Sequence, residues 1–413
     1  MGSVQSITEF LGLRRSMVGL LGMVILVGIG EKLAEDFLPI YLTALGGGVI
    51  SVGVLNGLDN LLSALYSYPG GYLSDRLGTK RALLVFNLIA ILGFLIVILI
   101  PVWQAVLFGA LFFLSWTAVS LPATMGLVAR VLPKTKRAMG VSMHSLVRRV
   151  PMALGPLFGG LMIARWGEVA GVRLAFVAAL AMALVALVLQ QALIEDDRPG
   201  AGEKGPMRRP LLNPLRALRE MNPALRHLLA SDILIRFCEQ IPYAFVVIWC
   251  MKQVAQPVSA PQFGVLRTVE MTTAALVYIP VAYFADRSGK KPFVLMTFVF
   301  FTAFPLVLLF CHSFWPLVAA FVLRGLKEFG DATRKALIID LSPPEREAQT
   351  FGVYYLIRDS VVSVAAFAGA GLWWISPATN FLTAFACGLL GTVWFAWRGR
   401  DLTPFSPDAA RAR

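Results

Sequence analysis

Residues Tyr68–Phe86 read YPGGYLSDRLGTKRALLVF, and residues Ile279–Thr297 read IPVAYFADRSGKKPFVLMT. Laid over one another, Pro69 falls on Pro280, Asp75 on Asp286, Arg76 on Arg287, Gly78 on Gly289 and Lys80 on Lys291, a constant shift of 211 positions (286 less 75). The same shift brings Asp59 onto Glu270, so each copy also carries an acidic residue inside the apolar run before its basic stretch. The chain is a duplicated unit, and what surrounds the two copies decides where it resides.

Those surroundings are apolar. Of 413 residues, 57% are hydrophobic and 15% charged, and mean hydropathy is +0.72; soluble domains carry about 25% charged residues. A helix needs about 20 apolar residues to cross a bilayer. Twelve segments meet that length, near 17–44, 49–72, 82–101, 104–128, 139–164, 174–193, 226–250, 262–284, 293–311, 315–340, 350–373 and 378–397. The reading is an all-α integral membrane protein of twelve transmembrane helices in two six-helix bundles. The bundles are expected at 1–193 and 226–398, with a basic cytoplasmic linker at 194–225 and a cytoplasmic tail at 399–413. Met1–Phe10 is polar and Arg14 and Arg15 lead directly into the first span, so no cleavable signal peptide is expected.

The net charge of +13 follows from topology. One set of connections holds Arg76, Lys80, Arg81, Lys134, Lys136, Arg137, Arg287, Lys290, Lys291 and Arg346, while the alternate set holds only Arg165, Arg173 and Lys252. By the positive-inside rule both termini and the linker are expected in the cytoplasm, and nucleic acid is not an expected partner. Cys238, Cys250, Cys311 and Cys387 lie in apolar runs with no CxxC pair, and three histidines give no ligand cluster, so no metal site is expected. No Walker A loop, GxSxG or HExxH is present, which argues against an enzyme.

The stretch Gly71–Arg81, GYLSDRLGTKR, resembles the signature loop of the major facilitator superfamily, G-x-L-x-D-R-x-G-x-[KR]-[KR]. A degenerate second copy at Ala282–Lys291 is also like that family, and the likeness covers essentially the whole chain. It implies a secondary transporter that works by alternating access, with small-molecule substrate and lipid as its partners and no cofactor beyond a coupling proton. It also implies that Gly71, Asp75, Arg76, Gly78, Lys80 and Arg81, with Asp286, Arg287 and Gly289, form a conformational latch. The residues themselves equally allow a basic anchor, although an anchor has no need of the Asp and Gly.

Charge inside the spans follows a period of three. Spans 3, 6, 9 and 12 have no Asp, Glu, Lys or Arg in their apolar cores, whereas each of the others, the fourth excepted, has at least one. Buried charge costs a few kcal/mol or more, about 2.5–3.5 on insertion scales, so such residues are expected to face the interior and pair. Span 1 (GIGEKLAEDFLPIY) offers Glu31, Lys32, Glu35 and Asp36; span 2 offers Asp59; span 5 offers His144, Arg148 and Arg149. Span 7 offers Asp232, Arg236 and Glu239, span 8 Arg267 and Glu270, and span 11 Arg358 and Asp359. In span 10 Arg324, Glu328, Asp331 and Lys335 fall at i, i+4, i+7 and i+11, one stripe of a continuous helix. Asp232 is expected to be shallow and to cap or pair locally with Arg236. Arg334, Lys335 and Asp340 are expected to snorkel or pair near the cytoplasmic end, and Glu35 and Asp36 to approach the outer surface. The cavity and coupling candidates are Glu31, Lys32, Glu35, Asp59, Arg236, Glu239, Glu270, Arg324, Glu328, Asp331 and Arg358, with static ion pairing as the other role they can fill.

In span 5, PMALGPLFGG (Pro151–Gly160) resembles the G-x-x-x-G-P-x-x-G-G element of the family's exporters, with Pro151 in place of the first Gly. Pro156 is expected to bend the helix, and Gly155, Gly159 and Gly160 to permit close packing. In the family that element marks antiporters, so the likeness implies export against protons; a monomer in a bacterial inner membrane is expected. Span 4 lacks the buried Arg common in drug exporters of the family. Proton-coupled uptake, metal or siderophore movement, and a non-transporting sensor remain as alternatives.

Overall fold

The computed structural model describes residues 15–114, 116, 137–194, 218–219, 221–288, 290–342 and 347–400, certain side chains within these ranges apart. Helix dominates and, among the described residues, no strand is present. The helices are α1 (Arg15–Glu35), α2 (Leu38–Ala44), α3 (Val49–Leu77), α4 (Thr79–Leu99), α5 (Trp103–Phe113), α6 (Arg137–Leu193), α7 (Pro223–Gln240) and α8 (Phe245–Ile248). They continue as α9 (Ala260–Ser288), α10 (Lys291–Leu309), α11 (Phe314–Leu326), α12 (Asp331–Asp340), α13 (Glu347–Ile375) and α14 (Pro377–Arg398). A π-helical turn, Trp249–Gln253, follows α8.

Six stretches are by themselves long and apolar enough to span a bilayer: Lys80–Leu99, Val147–Leu193, Pro223–Gln253, Lys291–Leu309, Thr350–Ile375 and Pro377–Arg398. The chain is therefore a multi-pass membrane protein. Two expected spans are each divided, 17–44 into α1 and α2 and 315–340 into α11 and α12. Span 104–128 is described as far as Leu114 and again at Trp116.

The outward faces of the charge-free segments are hydrocarbon. Leu88, Ile89 and Leu92 on α4, Leu184, Val185 and Val188 on α6, Met296 and Val299 on α10, and Leu389, Leu390 and Val393 on α14 are all exposed, as lipid-facing side chains are. The opposite faces are polar in a way that a search for charge overlooks, since Asn87, Gln190, Thr302 and Asn380 are buried there. Asn87 Nδ2 donates to Gln190 Oε1 (2.6 Å) and Trp116 Nε1 to Asn87 Oδ1 (2.8 Å). Neutral amides satisfy one another in hydrocarbon at far smaller cost than charges.

Two compact units result. The first comprises Met1–Arg208, Val247–Gln253 and Val258–Thr268; the second comprises Arg209–Val246, Val254–Pro257 and Val269–Arg413. In the first, Phe94, Phe113 and Phe176 tie α4, α5 and α6 together at ring separations of 5.4, 5.5 and 5.9 Å. In the second, Phe298 of α10 meets Phe395 of α14 at 5.2 Å.

Within α6 the chain keeps helical dihedrals through Pro151 and Pro156. The one departure is Gly167, at φ +81°, which divides two limbs. A positive φ is open to glycine at little cost. Gly78 has φ +81° between α3 and α4 for the same reason.

Candidate functional site

In the first unit α1 stops at Glu35. Phe37 N donates to Ala34 O at 3.0 Å in a tightened turn, and Pro39, with no N–H to give, opens α2. Beside this break lies a recess lined by Glu31, Lys32, Trp116, Arg148 and Pro151, among others. Glu31 is buried and interacts electrostatically with Lys32, Glu35, Arg148 and Asp59, and Arg148 in turn with Arg149. Lys32 Nζ donates to Glu35 Oε2. Arg267 grips Asp36 through Nε (2.6 Å) and Nη2 (3.4 Å), and both side chains are nine-tenths buried. The span-5 glycines hold this helix close: a Cβ on Gly155 would lie 2.5 Å from Lys32 Cβ, and one on Gly159 would run into the backbone of Leu33.

In the second unit α7 stops at Gln240, with Pro242 in the turn that follows. Here Glu239 is the hub. Its Oε2 accepts from Arg236 Nη1 (2.5 Å) and its Oε1 from Lys327 Nζ (2.7 Å). Lys327 also lies 3.6 Å from Glu270 Oε1, and Arg324 Nε lies 3.3 Å from the same oxygen. The Arg324 guanidinium stands over Phe304 (5.1 Å), Phe321 (5.6 Å) and Tyr243 (5.7 Å). Gly325 permits this arrangement, because a Cβ there would come within 2.5 Å of the Glu270 carbonyl oxygen. Cys238, Glu239, Phe301, Phe304, Arg324 and Lys327 line a narrow recess with room for about one water.

A second network in the same unit centres on Asp232. Asp232 Oδ2 accepts from Arg334, from Tyr354 Oη (3.0 Å) and from Arg358 Nη1 (3.4 Å). Arg334 and Lys335 each reach Asp331 at 2.7 Å, and Arg358 reaches Asp359 at 2.7 Å. Asp232 is 1% exposed and Arg334 2%.

Several expectations are corrected. Asp232 is buried, with Arg334 and Arg358 within 4 Å in place of Arg236, whose ion-pair partner is Glu239. Of the two roles expected for Arg334 it takes the paired one, with Asp232 and Asp331. Asp36 is not solvated, because Arg267 covers it. The proposed stripe of Arg324, Glu328, Asp331 and Lys335 does not form, since the helix is interrupted between Leu326 and Asp331. There Lys327, Glu328 and Phe329 donate to carbonyls only three residues back, and Gly330 N turns aside to Thr297 Oγ1 (2.5 Å). Arg324 accordingly joins Glu270, and Asp331 joins Arg334 and Lys335.

Of the latch residues, the side chains of Gly71, Asp75, Arg76, Asp286 and Arg287 and the whole of Gly289 lie outside the described residues, as does the His144 side chain. Lys80 is described: its Nζ donates to Gln191 O and its own carbonyl accepts from Gln190 Nε2, both at 2.8 Å. Arg81 is exposed. Pro151 lines the first recess, and a Cβ on Gly160 would press on the Ala260–Pro261 backbone. Sequence reasoning missed Lys327, Trp116 and Tyr354. Lys327 stood beside Arg324 in the charged run but off the presumed stripe, and Trp116 and Tyr354 carried no charge to draw attention.

The sequence profile of the Major Facilitator Superfamily matches residues 20–256 and again 233–412. An uncharacterized MFS-type transporter, YfkF of Bacillus subtilis (strain 168), is 28% identical over 135 residues; the match covers 32% of this chain and about a third (34%) of that relative's length. Among solved structures, a nucleoside transporter NupG mutant shares a TM-score of 0.77 at 13% identity, over 93% of this chain and 100% of that one. A peptide transporter POT in complex with sulfate gives 0.74 at 13% identity, over 93% of each chain. A bacterial homolog of the human lysosomal transporter Spinster gives 0.66 at 14%, over 93% of this chain and 94% of that one. These structural likenesses establish the architecture alone, while the two profile matches together cover residues 20–412: this protein belongs to the major facilitator superfamily.

Proposed function

We propose that the chain is a secondary transporter that moves a small polar or charged molecule across a bacterial inner membrane by alternating access, exporting it in exchange for protons. The observation that carries this reading is the gathering of buried charge around helix breaks, at α1–α2, α7–α8 and α11–α12, beside a recess in each unit. Discontinuous helices that present polar groups at depth are how this class of protein holds cargo and coupling ions. Twelve crossings, six-helix bundles at 1–193 and 226–398, a cytoplasmic linker, cytoplasmic termini and a monomer complete the reading. The loop Gly71–Arg81 and its second copy act as the latch between conformations, and the role is transport rather than catalysis.

Glu31 is the proton carrier in this scheme. Glu31 shares its cluster with two further carboxylates, Glu35 and Asp59, and a proton would relieve their repulsion, whereas Glu239 lies among the cations Lys327, Arg236 and Arg324. Export rests on the span-5 element packed against α1 at Lys32 and Leu33. The test is proton flux in proteoliposomes against a panel of charged metabolites and drugs, comparing wild type with Glu31→Gln, Glu239→Gln and Glu328→Gln. A substrate-dependent proton signal that only Glu31→Gln abolishes is expected. Tracer movement with no proton signal would overturn the coupling.

A further inference from the structure

The last helix of each sequence half ends against a lysine from the duplicated loop. Lys80 Nζ donates to Gln191 O at 2.8 Å at the end of α6, and Lys291 Nζ donates to Ala396 O at 3.0 Å at the end of α14. The two helix ends are framed alike and differ in what they display. Beyond the exposed Leu184, Val185 and Val188, α6 closes on the amides Gln190 and Gln191, and the sequence continues into Glu195, Asp196 and Asp197. Beyond the exposed Leu389, Leu390 and Val393, α14 closes on Trp394, Trp397 and Arg398, with Arg400 just after, all four exposed.

Helix α7 brings more of the same chemistry to that end. Its antiparallel register against α14 sets the His227 ring 5.6 Å from the Trp394 ring, and Ser231 O 3.0 Å from where a Cβ on Gly391 would lie. Arg398, one turn beyond Trp394 on the same face, is thereby level with the first turn of α7, where Arg226 is exposed. The Arg398 guanidinium lies 4.4 Å from the centre of the Trp397 ring, which is 72% exposed. Among the described residues neither Arg226 nor Arg398 makes an ion pair. Helices α10 and α14 contain no Asp or Glu, the first acidic residue of α7, Asp232, is held by Arg334 and Arg358, and Asp340 is held by Lys290. Glu220 and Asp401, which flank these elements in sequence, lie outside the described residues.

We propose that the α7–α14 end binds the phosphodiester of an anionic phospholipid, with Arg226 and Arg398 on the phosphate oxygens and the acyl chains over Trp397 and along Leu390 and Val393. The guanidinium fork suits phosphate oxygens, and a headgroup of net negative charge complements clustered cations, whereas the ammonium of a zwitterionic lipid is repelled by them. Tryptophan rings favour the headgroup level of a bilayer. Here they stand between the apolar face of α14 and its cations, the order in which a lipid presents its chains and its phosphate. A general rule of basic loops does not ask for two tryptophans beside the cations at one helix end and an amide seam at its equivalent. The site shares no residue with either recess and does not depend on the transport reading.

The full chain in detergent is titrated with phosphatidylglycerol, phosphatidylcholine and phosphatidylethanolamine of the same chains, and bound copies are counted by native mass spectrometry. One phosphatidylglycerol held about tenfold more tightly than either zwitterionic lipid is expected. Arg226→Gln and Arg398→Gln should each weaken that copy about fivefold, whereas Arg165→Gln, which removes an exposed cation of α6, should leave it unchanged. The soluble headgroup, glycerophosphoglycerol, should not displace it. A readout that needs no arginine variant is quenching in proteoliposomes of brominated lipid. Brominated phosphatidylglycerol should quench tryptophan more than brominated phosphatidylcholine, and that excess should fall when Trp394→Phe and Trp397→Phe are combined. Equal affinity for the three lipids, an equal loss in Arg165→Gln, or an excess unchanged without the two tryptophans overturns the inference. Displacement by the soluble headgroup also overturns it, in favour of a site for free phosphate esters.

Discussion

Glu31 shares its surroundings with two further carboxylates, Glu35 and Asp59, whereas Glu239 lies among the cations Lys327, Arg236 and Arg324. The frames are alike. In each, a helix stops beside a proline-containing segment, and a glycine on a packed helix lets backbones close in, Gly155 on Lys32 and Gly325 on Glu270. Both units thus place charge within the membrane by similar means, while the side chains gathered around the central carboxylate differ. The Asp232 network beside the second recess differs again, each of its carboxylates holding a cation within 4 Å.

If that contrast is right, the largest loss of stability comes from breaking the Asp232 network. Asp232→Asn leaves Arg334 and Arg358 buried without their shared carboxylate, and about 3–5 kcal/mol should be lost in reversible SDS unfolding. Glu31→Gln, which removes one of three clustered carboxylates, should cost far less in the same assay. Equal losses in the two variants would erase the distinction between the Asp232 network and the Glu31 recess.

The common frame is tested next. Gly155→Ala and Gly325→Ala each force a methyl into backbone or Cβ atoms about a full ångström too near, and should each cost about 1–3 kcal/mol. Gly22→Ala, which meets nothing within 4 Å, should be neutral or slightly stabilising. A tolerant Gly155 would mean that α6 and α1 slide freely and that the two recesses are not built alike.

The duplicated loop, the apolar segments and the charged helices were all legible in the sequence, because hydropathy and residue identity are local properties. The pairings were not. Asp232 finds Arg334 and Arg358 on helices more than a hundred residues away, and no spacing rule within span 7 reports that. The interruption after Leu326 was hidden for a similar reason: Gly330 leaves the helical ladder for Thr297, a side chain on α10. A periodic reading of span 10 therefore placed Arg324 and Asp331 on one stripe when they belong to two different networks. Asn87 and Gln190 escaped notice because only charged residues were counted inside spans whose buried seam is built from amides.

The smallest expected effect lies at the rim of the Asp232 network, and it separates buried pairing from mere proximity. Lys335 pairs with Asp331 at 2.7 Å, as Arg334 does, but its side chain is 46% exposed against 3% for Arg334. Water can replace Lys335 and cannot replace Arg334. Lys335→Ala should therefore cost under about 1 kcal/mol, and raising the salt concentration should shrink even that. Arg334→Ala should approach the Asp232→Asn loss and be indifferent to salt, because screening acts on exposed pairs. Were the two alanine variants to lose equal stability, Asp331 would be the organising residue of the network, Asp232 only one of its ligands, and the boundary of that network would have to be redrawn through α12.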